Sequence, residues 1–287
     1  MEENEDIEKI EKKNTNIIVL TDFGEYGDVA VHYASVLASI FHSSLTIVHN
    51  VAVRSHQPSL VEPVFSAQYK QTEQWLEEKN IKHFLLSDSF THNELYAYAE
   101  ETNTIMFVIA VAPKKGMSMF TRRQAVKFIR PSRVPVMVVG HKLPEADVFK
   151  QVMLPLNIDR QSKEKALWAG YFSRYYGAMV HILFTTYRDE FLRKKVIENV
   201  EFTKKLYENL EVTYELHKIE PTVDNMDKYS LSYAPQVAAS LTVIMMTKYF
   251  SLIDFLFGPK EYALIGNKEG FPVLCINERE DLYVLCT

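Results

Sequence analysis

Apolar residues along this chain fall into short unbroken runs, separated by longer stretches in which they recur at helical spacing. Residues 16–21, 45–51, 82–86, 104–111 and 134–139 read as strands. The run 104–111 is nearly continuous, as a strand covered on both faces of a parallel sheet must be. Ala30, Tyr33, Ala34, Leu37, Ala38 and Phe41 form one helical stripe. Further helices are predicted over 59–78, 93–101 and 122–129, with a loop over 112–120. The second half repeats the order, with strands at 151–156, 179–185, 212–219, 241–246 and 272–276. Its helices are predicted at 163–176, 189–209, 235–240 and 259–267, and 221–229 reads as loop.

The repetition extends to individual residues. Val134-Pro135-Val136-Met137-Val138-Val139 is answered by Phe271-Pro272-Val273-Leu274-Cys275-Ile276. Ile17-Ile18-Val19-Leu20 is answered by Val152-Met153-Leu154, and Leu45-Thr46-Ile47-Val48 by Met179-Val180-His181-Ile182. A shift of about 135 residues that holds across several apolar runs implies two copies of one unit. Alternating strands and amphipathic helices predict an α/β fold: in each copy, an open doubly wound sheet of five parallel strands, order 3-2-1-4-5, with helices on both faces. The division expected is an acidic tail over 1–15, a first domain over 16–143 and a second over 148–287. Gly140 to Asp147, with Pro144, reads as the linker. The closing strands are unusually apolar for sheet edges, so they should face or pair with each other across a pseudo-two-fold axis.

Composition narrows the function. Of 287 residues 47% are hydrophobic and 24% charged, enough to bury two cores. A net charge of −5 argues against nucleic acid or an anionic membrane as partner. The start, Met1-Glu2-Glu3-Asn4-Glu5-Asp6, is the opposite of a signal peptide, and no apolar run approaches the roughly 20 residues of a membrane span. A cytoplasmic location is expected, with Cys275 and Cys286 reduced and structural. The nine histidines show no metal-ligand spacing, and His49, His83 and His181 are expected as core or edge residues. Neither a Gly-x-Ser-x-Gly elbow nor a Gly-x-x-x-x-Gly-Lys loop occurs. No catalytic machinery is evident, and the chain is expected not to be an enzyme.

The first strand ending at Asp22, the run Lys127-Phe128-Ile129-Arg130-Pro131-Ser132-Arg133-Val134-Pro135-Val136 and the matching Phe271-Pro272-Val273 carry a resemblance. In order and spacing the chain resembles the universal stress protein family in its tandem two-domain form, from about residue 15 to residue 278. In nucleotide-binding members an aspartate after the first strand meets the adenine. A loop of pattern Gly-x2-Gly-x9-Gly-Ser/Thr after the fourth strand wraps the phosphates, where glycines admit close backbone N–H groups. The resemblance implies candidate binding positions at Asp22, Ala112, Gly116, Arg122 and Arg123.

Asp22 stands where the adenine aspartate belongs, or alternatively caps the turn into the first helix. The phosphate loop departs from the pattern: only Gly116 remains of its glycines, Pro113 has no N–H, and Arg122-Arg123 replace Gly-Ser. Lys114, Lys115, Arg122 and Arg123 gather instead near a helix start that Thr121 should cap. Cations there oppose the helix dipole by about 0.3–1 kcal/mol each, unless an anion binds between them. A solvated basic loop is the alternative. In the second copy Asn157, with Asp159 nearby, takes the aspartate's place, and residues 247–261 form an apolar loop ending Gly258-Pro259.

The expected function is that of a non-catalytic stress-response or regulatory binding protein with degenerate nucleotide loops and no obligatory cofactor. The alternatives are an ATP- or AMP-binding protein using the first-half site, or a regulatory module for a transporter or kinase. The partner is an unidentified protein, with an adenine nucleotide or simple anion as ligand in the first half alone. The monomer is expected as an internal pseudo-dimer, with a homodimer also open.

Overall fold

The structure is a computed structural model that describes residues 15–50, 62–112, 119–158, 162–220, 223, 225–246 and 261–278. In chain order, the first half holds β1 (Asn16–Thr21), α1 (Glu25–Ile40), β2 (Ser44–Asn50), α2 (Glu62–Glu78), β3 (His83–Asp88), α3 (His92–Glu101), β4 (Thr104–Ala110), α4 (Arg122–Ile129) and β5 (Val136–Val139). The second half holds β6 (Gln151–Pro155), α5 (Ser162–Tyr176), β7 (Met179–Thr185), α6 (Glu190–Asn209), β8 (Tyr214–Ile219), α7 (Met226–Tyr233), β9 (Leu241–Met245), α8 (Glu261–Ile265) and β10 (Val273–Ile276).

All ten strands form one sheet, in the order β3-β2-β1-β4-β5-β10-β9-β6-β7-β8. Each half therefore has the order 3-2-1-4-5 deduced from the alternation of elements. Neighbours within each half run parallel. The halves join where β10 lies antiparallel to β5, with Val273 opposite Val138, Leu274 opposite Met137 and Cys275 opposite Val136. The expected pairing of the two closing strands is what the structure shows.

Successive strand residues point to opposite faces, so both faces of this sheet need cover. Ile17 and Val19 belong to one core and Ile18 and Leu20 to the other, all buried. The first core runs through both halves: Tyr33 of α1 meets Phe149 at 5.9 Å, and Phe41 meets Phe172 of α5 at 5.3 Å between ring centres. The second core also crosses the junction, joining Val136 and Val138 to Val273, Cys275 and Leu264. Burial holds the Cys275 thiol well above its usual pKa, in keeping with a structural role.

Polar contacts tie the halves further. Asn277 Nδ2 donates to the carbonyls of Ile129 (2.6 Å) and Ser132 (2.9 Å) in the first half. A Cβ added at Gly140 would sit 2.5 Å from Gly270 Cα, so the backbones cross where a side chain has no room. No helix among the described residues is long and apolar enough to cross a membrane.

Three assignments in the second half need correction. The stretch read as loop up to residue 229 contains α7 from Met226, started by Asn225, whose side chain accepts the Lys228 N–H. Where a helix was expected over 235–240, only a 3-10 turn, Ala234–Val237, follows, and it stops at Ala238 with φ of 50°. The last helix ends at Ile265, before 267, because the Asn267 side chain bonds the Leu264 and Phe271 carbonyls and shapes a turn. Residues 259 and 260 lie outside the described residues.

Candidate functional site

In a doubly wound sheet a ligand cleft opens at the C-terminal ends of the strands where the order reverses. In the first half those strands are β1 and β4, and they end beside Asp22 and Ala112. The turn after β1 is built from its own side chains. Thr21 Oγ1 accepts the Phe23 N–H at 2.9 Å, and Asp22 Oδ1 accepts the Gly24 N–H at 3.0 Å. Together they hold Phe23 at φ of 50°, a conformation uncommon for a bulky residue.

Helix α1 then starts so close that a Cβ at Gly27 would come within 2.7 Å of Asp22 Oδ1. The turn-capping alternative for Asp22 is thus realised, whatever else the carboxylate meets. Beside it the buried Phe23 ring lies 5.7 Å from His49 and 6.3 Å from Tyr69. Burial lowers the His49 pKa, with Asp22 opposing the shift. Burial also raises the Asp28 pKa; His32 opposes that shift and Asp22 adds to it.

Across the cleft, Ala112 is buried and Phe120 bridges back to Val111. Helix α4 begins with a complete capping box: Thr121 Oγ1 accepts the Gln124 N–H, and the Gln124 side chain accepts the Thr121 N–H. The cap predicted at Thr121 is present. The basic residues do not all gather there. Arg122 turns across the junction and donates from Nη2 to the Gly266 carbonyl at 2.6 Å, while Arg123 stays exposed. Lys114, Lys115 and Gly116 lie outside the described residues.

The second half fills the equivalent position differently. The carbonyl of Asn157, which follows β6, accepts Asn199 Nδ2 of α6 at 2.8 Å. Lys165 of α5, only 1% exposed, pairs with Asp227 of α7 at 3.6 Å. On the same element, away from the strand ends, Ser230 Oγ lies 3.0 Å from Thr242 Oγ1 near the start of β9. Protein groups thus meet one another here. Asp159 and the apolar loop over 247–260 lie outside the described residues.

No family model matches this sequence, and no curated relative does. Solved structures do. The chain is similar to a universal stress protein from Archaeoglobus fulgidus DSM 4304, with TM-score 0.65 at 12% identity over 93% of this chain and 97% of that one. The chain has the universal stress protein fold. Within that fold it also resembles a functionally unknown protein from Pseudomonas aeruginosa PAO1, with TM-score 0.59 at 14% identity over 96% and 97% of the two chains. The cytoplasmic domain of a prokaryotic cation chloride cotransporter follows, with TM-score 0.52 at 11% identity over 94% and 99%. Likeness at such identity concerns the universal stress protein architecture, so the ligand must be argued from this chain's own residues.

One grouping escaped the sequence. His181, expected as a core or edge residue, is buried as expected, but Glu215 and His217 stand beside it. Glu215-Leu216-His217 alternates correctly for one strand face. Only the pairing of β7 with β8 reveals its partner.

Proposed function

We propose that this chain is a non-catalytic regulatory binding protein of the universal stress type, with one nucleotide or anion site, in the first half, and none in the second. The observation that carries this reading is the contrast between the two switch points. In the second, Asn199 occupies the Asn157 carbonyl and Lys165–Asp227 supplies a buried ion pair. In the first, a carboxylate stands at the end of β1, across from a capped helix start with an exposed arginine. Helix N-terminal N–H groups favour an anion there.

Isothermal titration of the full chain with ATP and AMP tests the proposal, using Asp22→Ala and Arg123→Ala beside the wild type. One nucleotide per chain is expected, bound modestly, weakened by salt and lost in both variants. Two per chain, or binding indifferent to both substitutions, overturns the asymmetry. Turnover of the bound nucleotide overturns the non-catalytic reading. The likeness to a cotransporter's cytoplasmic domain favours a second reading, a module that docks on a transporter. Co-purification with a membrane protein, independent of nucleotide, would distinguish it.

A further inference from the structure

At the outer edge of the second half, β7 and β8 bring three metal-ligating side chains to one point. The parallel register sets Glu215 beside His181 and His217 beside Leu183. Side-chain alternation puts His181, Glu215 and His217 on the same face. The group lies toward the starts of the strands, whereas the ligand cleft of this fold lies at their ends. The two sites are therefore separate.

The geometry is specific. His181 Nδ1 is 3.0 Å from His217 Nε2, and Glu215 Oε2 is 3.5 Å from the first and 3.6 Å from the second. A circle through these three atoms has a radius of about 2.0 Å, which matches zinc–nitrogen and zinc–oxygen bonds of about 2.0–2.2 Å.

The far nitrogens are held as they would be around a metal. His181 Nε2 meets Gln151 Oε1 at 2.7 Å. An amide oxygen only accepts, so Nε2 carries the proton and Nδ1 turns its lone pair inward. His217 Nδ1 lies 3.2 Å from the Tyr233 hydroxyl. When that hydroxyl accepts, Nε2 of His217 also turns a lone pair inward. Two inward lone pairs 3.0 Å apart repel unless a cation sits between them, and outer-shell partners of this kind are what orient metal-bound imidazoles. If Tyr233 donates instead, His217 Nε2–H simply bonds His181 Nδ1 and no metal is needed.

We propose that His181, Glu215 and His217 bind one divalent first-row transition-metal ion, of the zinc class. Two imidazoles and one carboxylate suit zinc and its neighbours better than magnesium or calcium, which prefer oxygen alone. Among the described residues no fourth histidine, cysteine or carboxylate joins the group. A position left open in this way would take water or an incoming ligand. The Glu215 side chain is 56% exposed, which gives the ion a way in, while His181 at 4% anchors the site. Bound there, the ion would fasten the outermost strand, β8, to β7.

Titrating the chelator-treated full chain with Zn²⁺ tests the site. One ion per chain should bind and raise the melting temperature. Co²⁺ in its place should give the visible absorption of a near-tetrahedral complex, and Mg²⁺ should not compete. Glu215→Gln with His217→Gln should abolish that equivalent while the metal-free melting temperature stays close to wild type. Should that pair unfold the protein, Glu215→Gln alone should weaken the site at least about tenfold. No saturable Zn²⁺ binding by the wild type, or equal binding by a folded variant, overturns the proposal.

Discussion

At the residue scale, the turn after β1 shows the structural task of Asp22. Asp22 Oδ1 already holds the Gly24 N–H, and this bond shapes the turn that leads into α1. A sequence shows that an aspartate follows a strand, but not which of its oxygens the backbone will claim. The same limit hid Arg122, whose partner is a carbonyl 144 positions away. Histidines drawn partly out of water give a measurable consequence here. Burial lowers the pKa of His49, and burial followed by Lys127 lowers that of His92. The unfolded chain therefore binds more protons than the folded one below the ordinary histidine pKa of about 6.5. The stability these rings contribute is complete above that value and is lost as pH falls from it through their lowered folded-state pKa. Thermal melts between about pH 7 and pH 5.5 should show a falling midpoint, and His49→Gln should flatten the slope. A midpoint that rises on acidification would contradict this.

At the element scale, what could be read in advance tracks how completely an element is buried. β1, β4 and the two closing strands are apolar runs because both faces are covered, so periodicity found them all. Helix α7 escaped because its buried face is partly polar: Asp227 pairs with Lys165, and Ser230 reaches Thr242. Those partners lie on other elements, and without them the segment reads as loop. β5 permits a sharp test, since Val136, Met137, Val138 and Val139 are all buried and three of them face β10. Val138→Asp would bury a carboxylate with no partner and should cost at least about 3 kcal/mol. The urea midpoint should fall and hydrophobic dye should bind. Phe84→Asp is the control: on the outer edge strand β3 and 48% exposed, it should change stability by no more than about 0.5 kcal/mol. Equal effects of the two substitutions would mean that β5 is not an internal strand.

At the scale of the whole molecule, the antiparallel seam between β5 and β10 joins two halves of like strand order into one sheet. The sheet continues through it, both cores cross it, and Asn277 and Arg122 bond over it. The likeness of the two halves could be read in the sequence because both bury apolar strands in the same order. The seam followed from an argument about edges: a strand with apolar residues on both faces cannot be left exposed. That reasoning has a consequence for the first half by itself. Residues 1–143 would end with β5 at the sheet edge, bare along the side where Val273, Leu274 and Cys275 now lie. The pairing is antiparallel, so a second copy of β5 can take the place of β10 by a true two-fold axis. An isologous contact of that kind closes on itself instead of propagating. The 1–143 fragment should therefore sediment as a homodimer while the full chain sediments as a monomer. Val138→Asp in the fragment should abolish the dimer. A fragment that is folded, monomeric and unchanged by that substitution would show that the β5 edge does not need its partner strand.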